Sequence, residues 1–193
     1  MSAHREIFNE IYEKNKWGYG SGLGSVPQYT APYRIFLSNF MKSNGIKSVL
    51  DVGCGDWQIS SLIDWSDVNY IGMDVSSVVL TNTSRFAADN IRFIEGDAVH
   101  DELPRADLLI LKDVLQHWSN TDILRFLPKM RQFPRALVTN GFDAAALALT
   151  NQDISSGGYR PVDLKASPFN MRGTDVFWYD GGDPKVITLF QGD

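Results

Sequence analysis

The chain has one cysteine, Cys54, in 193 residues. That excludes an intramolecular disulfide framework and a cysteine-built zinc site, and it points to a reducing compartment. Basic charge is also short: 18 Lys and Arg stand against 23 Asp and Glu, a formal net charge of -5. A general nucleic-acid or anionic-membrane surface normally needs the opposite balance. A small or neutral partner therefore fits better than nucleic acid. No stretch approaches the roughly 20 apolar residues needed to span a bilayer. The first residues, "MSAHREIFNEIYEKNK", lack the apolar region of a signal peptide. A cytoplasmic protein without a membrane partner is expected, and its oligomeric state is left open.

Apolar material is plentiful, at 44% hydrophobic and 12% aromatic residues, enough for one substantial core and little for two. One domain over residues 1–193 is expected, with N-terminal helices and a glycine-aromatic segment in 1–45 and an α/β core in 46–193. Ile7, Phe8, Ile11 and Tyr12 recur at helical spacing, as do Tyr33, Phe36, Leu37, Phe40 and Met41. Between these helices lies "KWGYGSGLGSVPQYTAP" (16–32). Its alternating Gly18, Gly20, Gly22 and Gly24, with the rings of Trp17, Tyr19 and Tyr29, suit either a mobile lid or a flexible surface segment.

From Lys47 onward, apolar runs alternate with helix-like segments. "KSVLDV", "VNYIGMDV", "IRFIEGD", "ADLLILK" and "RALVTN" read as strands too apolar throughout to have a wet face. "SSVVLTNTSRFAA" and "NTDILRFLPKMRQ" read as crossover helices, the second expected to break at Pro128. "TDVFWYD", "GGDP" and "KVITLFQ" read as an antiparallel hairpin at the sheet edge. The expected fold is α/β: a doubly wound, mainly parallel seven-stranded sheet with an antiparallel C-terminal hairpin. A short helix is expected around Ala144 to Leu149.

The stretch "SVLDVGCGDWQIS" (48–60) ends a buried strand in two glycines and two acids. Ligands of such sheets bind at the carboxyl ends of the strands. Gly53 and Gly55 let the backbone turn sharply and a ligand approach its N–H groups, and a following helix is expected to offer its N-terminus. Asp51 and Asp56 would repel a pyrophosphate but attract an ammonium or sulfonium; Asp56 could instead cap the helix. Asp74 ends the second strand at a spacing that suits both hydroxyls of a ribose. Asp97 could accept from an adenine amine. A nucleoside with a cationic, amino-acid-like tail satisfies all of these, and S-adenosylmethionine is such a molecule.

In "VLDVGCGD" (49–56), "YIGMD" (70–74), "GDA" (96–98) and "ADLLILKDVLQHW" (106–118), in that order, the chain resembles the class I S-adenosylmethionine-dependent methyltransferases. "WGYGSGLGS", "YTAPYRIFL" and "YRPVDLKASPFN" (159–170) are similar to a group of small bacterial methyltransferases whose acceptors are mostly unassigned. The resemblance implies a metal-independent methyltransferase of the Rossmann-like fold. Its cofactor would be held by Asp51, Gly53, Gly55, Asp56, Asp74 and Val75, with Asp97, Ala98, Lys112, Trp17 and Arg34. His117 or Asp113 would act as base, and Tyr19, Tyr159 and Arg160 would meet the acceptor. The implied acceptor is a small molecule or carbohydrate, methylated at oxygen. A non-catalytic S-adenosylmethionine-binding protein and a methyltransferase of macromolecules are the alternatives.

The pattern departs from the family at Trp57, where many members have a third glycine. With Gln58 closing it, a dinucleotide G-x-G-x-x-G is incomplete, which disfavours an oxidoreductase. Trp57 either points away from the cofactor or covers it. Cys54 reads as a small filler, and His4 and His100 as solvated.

Overall fold

The structure, a computed structural model, describes residues 3–142 and 148–192. The helix expected near 144–149 falls largely outside them.

Seven strands form one sheet: β1 (Ser48–Val52), β2 (Asn69–Asp74), β3 (Ile91–Glu95), β4 (Leu108–Lys112), β5 (Arg135–Gly141), β6 (Thr174–Asp180) and β7 (Pro184–Gln191). Their order across the sheet is β3-β2-β1-β4-β5-β7-β6. The first five are parallel, and β7 runs antiparallel to both β5 and β6. The expected fold class is therefore the one observed.

Strand alternation divides the core. Leu50, Val52, Leu109 and Leu111 face one layer, where Ile123, Phe126, Leu127 and Met130 of the helix α4 (Asn120–Met130) meet Phe8 and Ile11 of α1 (Ala3–Glu13). Val49, Tyr70, Leu108 and Ile110 face the other, against Tyr33, Leu37 and Met41 of α2 (Ala31–Ser43). β1 and β4 bury both faces, as the apolar runs require. Asp107 joins their starts: its carboxylate accepts from the N–H groups of Lys47 and Ser48, both at 2.9 Å.

Two expectations fail. Pro128 lies inside α4 and does not break it. It sits in the last turn, so its missing N–H removes one bond, to the carbonyl of Leu124, whose side chain is on the exposed side. The ladder resumes with Arg131 N–H on the Leu127 carbonyl. The glycine motif is followed by no α-helix, only a short 3-10 turn at Ser60–Leu62. Gly53, Gly55 and Trp57 all have positive φ, and such alternation cannot propagate a helix. The crossover from β2 to β3 does contain the expected helix, α3 (Ser77–Thr83). Among the described residues no helix is long and apolar enough to cross a membrane.

Candidate active site

A cavity of about 280 Å³ runs along the carboxyl edge of the sheet. In strand order, Asp97 follows β3, Asp74 ends β2, Asp51 and the glycines end β1, Lys112 ends β4, and Lys185 begins β7. All line the cavity, with carboxylates toward β3 and ammonium groups toward β7. Val75, Ala98, Trp17, Asp113 and His117 line it too.

Asp74 is buried and accepts backbone N–H groups on both oxygens, Gly55 on Oδ2 at 3.0 Å and Ser76 on Oδ1 at 2.9 Å. A carboxylate has about four lone-pair sites, so acceptor capacity is left for a further donor. Burial raises its pKa to about 6 against the lowering effect of these bonds. Asp51 accepts from the Tyr70 hydroxyl at 2.6 Å and from Ser60 at 3.3 Å, and burial lifts it likewise to about 6. Cys54 keeps its proton, because burial drives the thiol up and Asp74 adds to the effect. It is no nucleophile.

The glycine-aromatic loop lies over the glycine motif. Ser21 N–H donates to Asp56 Oδ2 at 3.1 Å, and Asp56 N–H donates to Ser21 Oγ at 2.9 Å. Gln58 reaches the Tyr19 carbonyl at 2.8 Å, and Lys112 Nζ donates to the Gly24 carbonyl at 2.9 Å. Asp56 thus fastens the loop. It caps no helix, and its carboxylate is committed to Ser21 and Gln58.

Gly53 combines φ +71 with a close neighbour: a Cβ there would come within 2.5 Å of Val114 Cγ2. Gly53→Ala is expected to destabilise the fold by about 1–3 kcal/mol, through left-handed strain and overpacking. Urea unfolding would measure it; an unchanged midpoint would mean that the turn relaxes freely.

Past β4, the predicted partnership of Asp113 and His117 is absent. Asp113 has φ +58, and its carboxylate is held by Lys112 Nζ at 2.6 Å and Lys185 Nζ at 2.9 Å. Burial opposes ionisation, but the two ammonium groups overcome it and lower the pKa to about 2. His117 ends a 3-10 turn, Leu115–His117. Its Nδ1 donates to the Gly158 carbonyl at 2.7 Å. The neutral ring therefore keeps its lone pair on Nε2, where the Gln116 amide approaches at 3.4 Å. Gln116 Oε1 takes the Gly141 N–H at 3.3 Å, which turns the amide nitrogen toward the ring. The Trp17 ring covers His117, with centroids 4.6 Å apart.

Four other expected contacts move or fail. Arg160 is 3% exposed, and its guanidinium donates to the Leu115 and Gln152 carbonyls and Asn120 Oδ1. It braces the loops behind the cavity and cannot meet an acceptor there. Arg34 donates to the Pro27 carbonyl at 3.3 Å and does not line the cavity, although Tyr33 beside it does. Tyr19 is 68% exposed and likewise outside the lining. Tyr159 is also outside it, but its ring lies 5.9 Å from that of His117, at the rim. Trp57 points away, packed on Tyr70, Phe86 and Phe93. His4, expected in solvent, is buried and bonded to Asp97. His4, Phe8 and Tyr12 line the cavity together; their i, i+4, i+8 spacing is the signal in the sequence that finds them. Lys185 carries no such signal, since only the pairing of β7 with β5 brings it in.

The profile of an O-methyltransferase domain matches residues 13–142. The trans-resveratrol di-O-methyltransferase of Vitis vinifera is 26% identical over 140 residues, covering 65% of this chain and 37% of its own length. The chain thus spans well under half of that curated relative. Among solved structures, magnesium protoporphyrin IX methyltransferase from Synechocystis PCC 6803 with bound SAH superposes with a TM-score of 0.67 at 14% identity, over 98% of each chain. An O-methyltransferase family 2 protein from Planctomyces limnophilus in complex with apigenin gives 0.60 at 15% identity, over 84% of this chain and 62% of the other.

Proposed function

Because the chain belongs to the O-methyltransferase domain family, we propose that it transfers the methyl group of S-adenosylmethionine to a hydroxyl of a small-molecule acceptor. The observation that carries this reading is the polarity of the cavity at the carboxyl edge: Asp97, Asp74 and Asp51 at the β3, β2 and β1 ends, and at the β4 end a neutral histidine beside Asp113 with its two lysines. The donor set suits the cofactor. Asp74 has free lone pairs for ribose hydroxyls, Asp51 faces the region of a cationic tail, and Lys112 suits a carboxylate. Bound there, S-adenosylmethionine supplies a methyl carbon already activated by its sulfonium.

The chain's own work is then orientation and proton removal. Once the long Gln116 contact gives way to the acceptor, His117 Nε2 takes the hydroxyl's proton while Gly158 holds the opposite nitrogen. Trp17 excludes water from the ring's face. The rings of Trp17 and Tyr159 beside His117 favour a flat phenolic acceptor over a sugar, in keeping with a relative named for resveratrol. The loop 16–32 serves as the lid. The lone cysteine and acidic balance suit the cytoplasm.

Calorimetry with S-adenosylhomocysteine and NAD, followed by transfer of labelled methyl to phenols, sugars and carboxylates, tests the reading. Binding of the first ligand alone and methylation of a phenol are expected. S-adenosylhomocysteine binding with no transfer to any acceptor would favour a non-catalytic binding protein, and preference for NAD would end the proposal.

A further inference from the structure

His4 stands at the β3 end of the cavity on the face of α1 that carries Phe8 and Tyr12. Its Nδ1 is 3.2 Å from the Asp97 carboxylate and its Nε2 is 3.1 Å from Asp122 Oδ2. Ionised carboxylates only accept, so both bonds form together only when both ring nitrogens carry a proton. His4 is 7% exposed, and its ring lies parallel to Trp118, at 9° and 6.5 Å between centroids. Asp122 is fixed in turn by the hydroxyls of Ser119 at 2.6 Å and Ser156 at 2.7 Å. One imidazolium therefore fastens α1 to the segment after β3 and to the first turn of α4.

A second histidine reaches the same carboxylate: His100 Nδ1 is 2.9 Å from Asp97 Oδ2. His4, Asp97 and His100 bring three ligand atoms within 4.8 Å of one another, a donor set that a metal ion could use. Arg125 argues against it. Its guanidinium donates to His100 Nε2 at 2.8 Å, which leaves the proton of the neutral ring on Nδ1, the atom a metal would need. Protons account for the contacts of His4 and His100 with Asp97, Asp122 and Arg125.

We propose that His4, as an imidazolium, is a positioning residue for the cofactor: it clasps α1 over the adenine end of the cavity and orients Asp97 toward the base. This rests on the reading of the cavity as an S-adenosylmethionine site. Among the described residues, the charged groups around the ring are Asp97, His100 and Asp101 from the segment after β3, and Asp122, Arg125 and Lys129 from α4. Arg5, next to it on α1, pairs with Glu95 of β3.

The hydrogen bond to Asp97 holds the His4 pKa above its ordinary 6.5, outweighing the opposite effect of burial. The sign follows. The clasp is complete below 6.5 and is lost as pH rises through the raised value, when a ring lone pair comes to face a carboxylate. Cofactor affinity should therefore fall on the alkaline side, while ionised Asp74 sets an acidic limb near its own pKa of about 6.

The test uses the full chain, with S-adenosylhomocysteine as the probe, by calorimetry between about pH 5.5 and 8.5, alongside the NMR titration of the His4 ring. Wild type should weaken about tenfold for each unit by which the cofactor raises the His4 pKa. In His4→Gln the alkaline limb should vanish and the acidic limb remain. Asp122→Asn, which removes one of the two charges, should move the alkaline limb to lower pH and covers the case in which His4→Gln folds poorly. Taking the ratio of variant to wild type cancels titration of the ligand's own amine. An unchanged alkaline limb in His4→Gln, or a ring that titrates at or below 6.5, would overturn the proposal. So would zinc or a chelator altering wild-type affinity but not the variant's, since a metal would then hold the cluster. Wild type that binds no S-adenosylhomocysteine at any pH would remove the cofactor reading itself, a result distinct from failure of the clasp.

Discussion

In His117→Ala, turnover of a hydroxyl acceptor is expected to fall about 10²–10⁴-fold, the usual contribution of a general base, with S-adenosylhomocysteine affinity little changed. The pH profile carries the sign. Burial pushes the His117 pKa below its ordinary 6.5, and the Gly158 bond opposes this only in part. A base works in its deprotonated form, so the wild-type rate should rise through a pKa below 6.5 and stay level through neutrality. The variant should lose that acidic limb.

Asp113 cannot take this role, because a carboxylate held near a pKa of about 2 by two ammonium groups is a poor proton acceptor. Asp113→Ala is expected instead to cost stability, about 3–5 kcal/mol, chiefly by leaving Lys112 without a carboxylate partner, since Lys185 keeps Asp183 at 3.0 Å. Rates at saturating cofactor and urea unfolding of both variants measure this. A near-normal rate in His117→Ala would leave positioning alone as the source of catalysis.

Asp74→Asn is expected to weaken S-adenosylhomocysteine binding by about 1.5–3 kcal/mol for each charged hydrogen bond to ribose, roughly 10–100-fold. Asparagine is the better replacement than alanine, because Asp74 also receives the N–H groups of Gly55 and Ser76, one on each oxygen; asparagine keeps an acceptor for one of them, and alanine would orphan both. In wild type the two pH dependences run in opposite directions. The folded pKa of Asp74 is raised from 3.8 to about 6 by burial. Protonation is thus easier in the folded state, and this group's contribution to stability rises as pH falls through about 6 toward 3.8. Cofactor affinity should fall over the same range, since the ionised form accepts the hydroxyls. Calorimetry and thermal unfolding across that range would show both trends in wild type and neither, from this residue, in the variant. Unchanged affinity in a folded Asp74→Asn protein would remove Asp74 from the site.

Local chemistry in the sequence was enough to determine the sheet and the cofactor side of the cavity. Apolar runs such as "VLDV" and "LLILK" admit little but doubly buried parallel strands, and their carboxyl ends carry Asp51, Gly53, Gly55 and Asp74 wherever the crossovers go. Side chains whose partners are distant in the chain were decided only by tertiary structure. Pairing of β7 with β5 placed Lys185 on Asp113 and made a structural anion of a candidate base. The loop near Gly158 fixed the His117 tautomer across 41 positions, and the same loop region drew Arg160 inward as a brace. His4 looks like a solvated terminal residue until α1 docks and brings it between Asp97 and Asp122, 93 and 118 positions away. Periodicity reports which face of an element is apolar. It does not report which charges share one burial site, and that juxtaposition sets the pKa values on which the proposed catalysis depends.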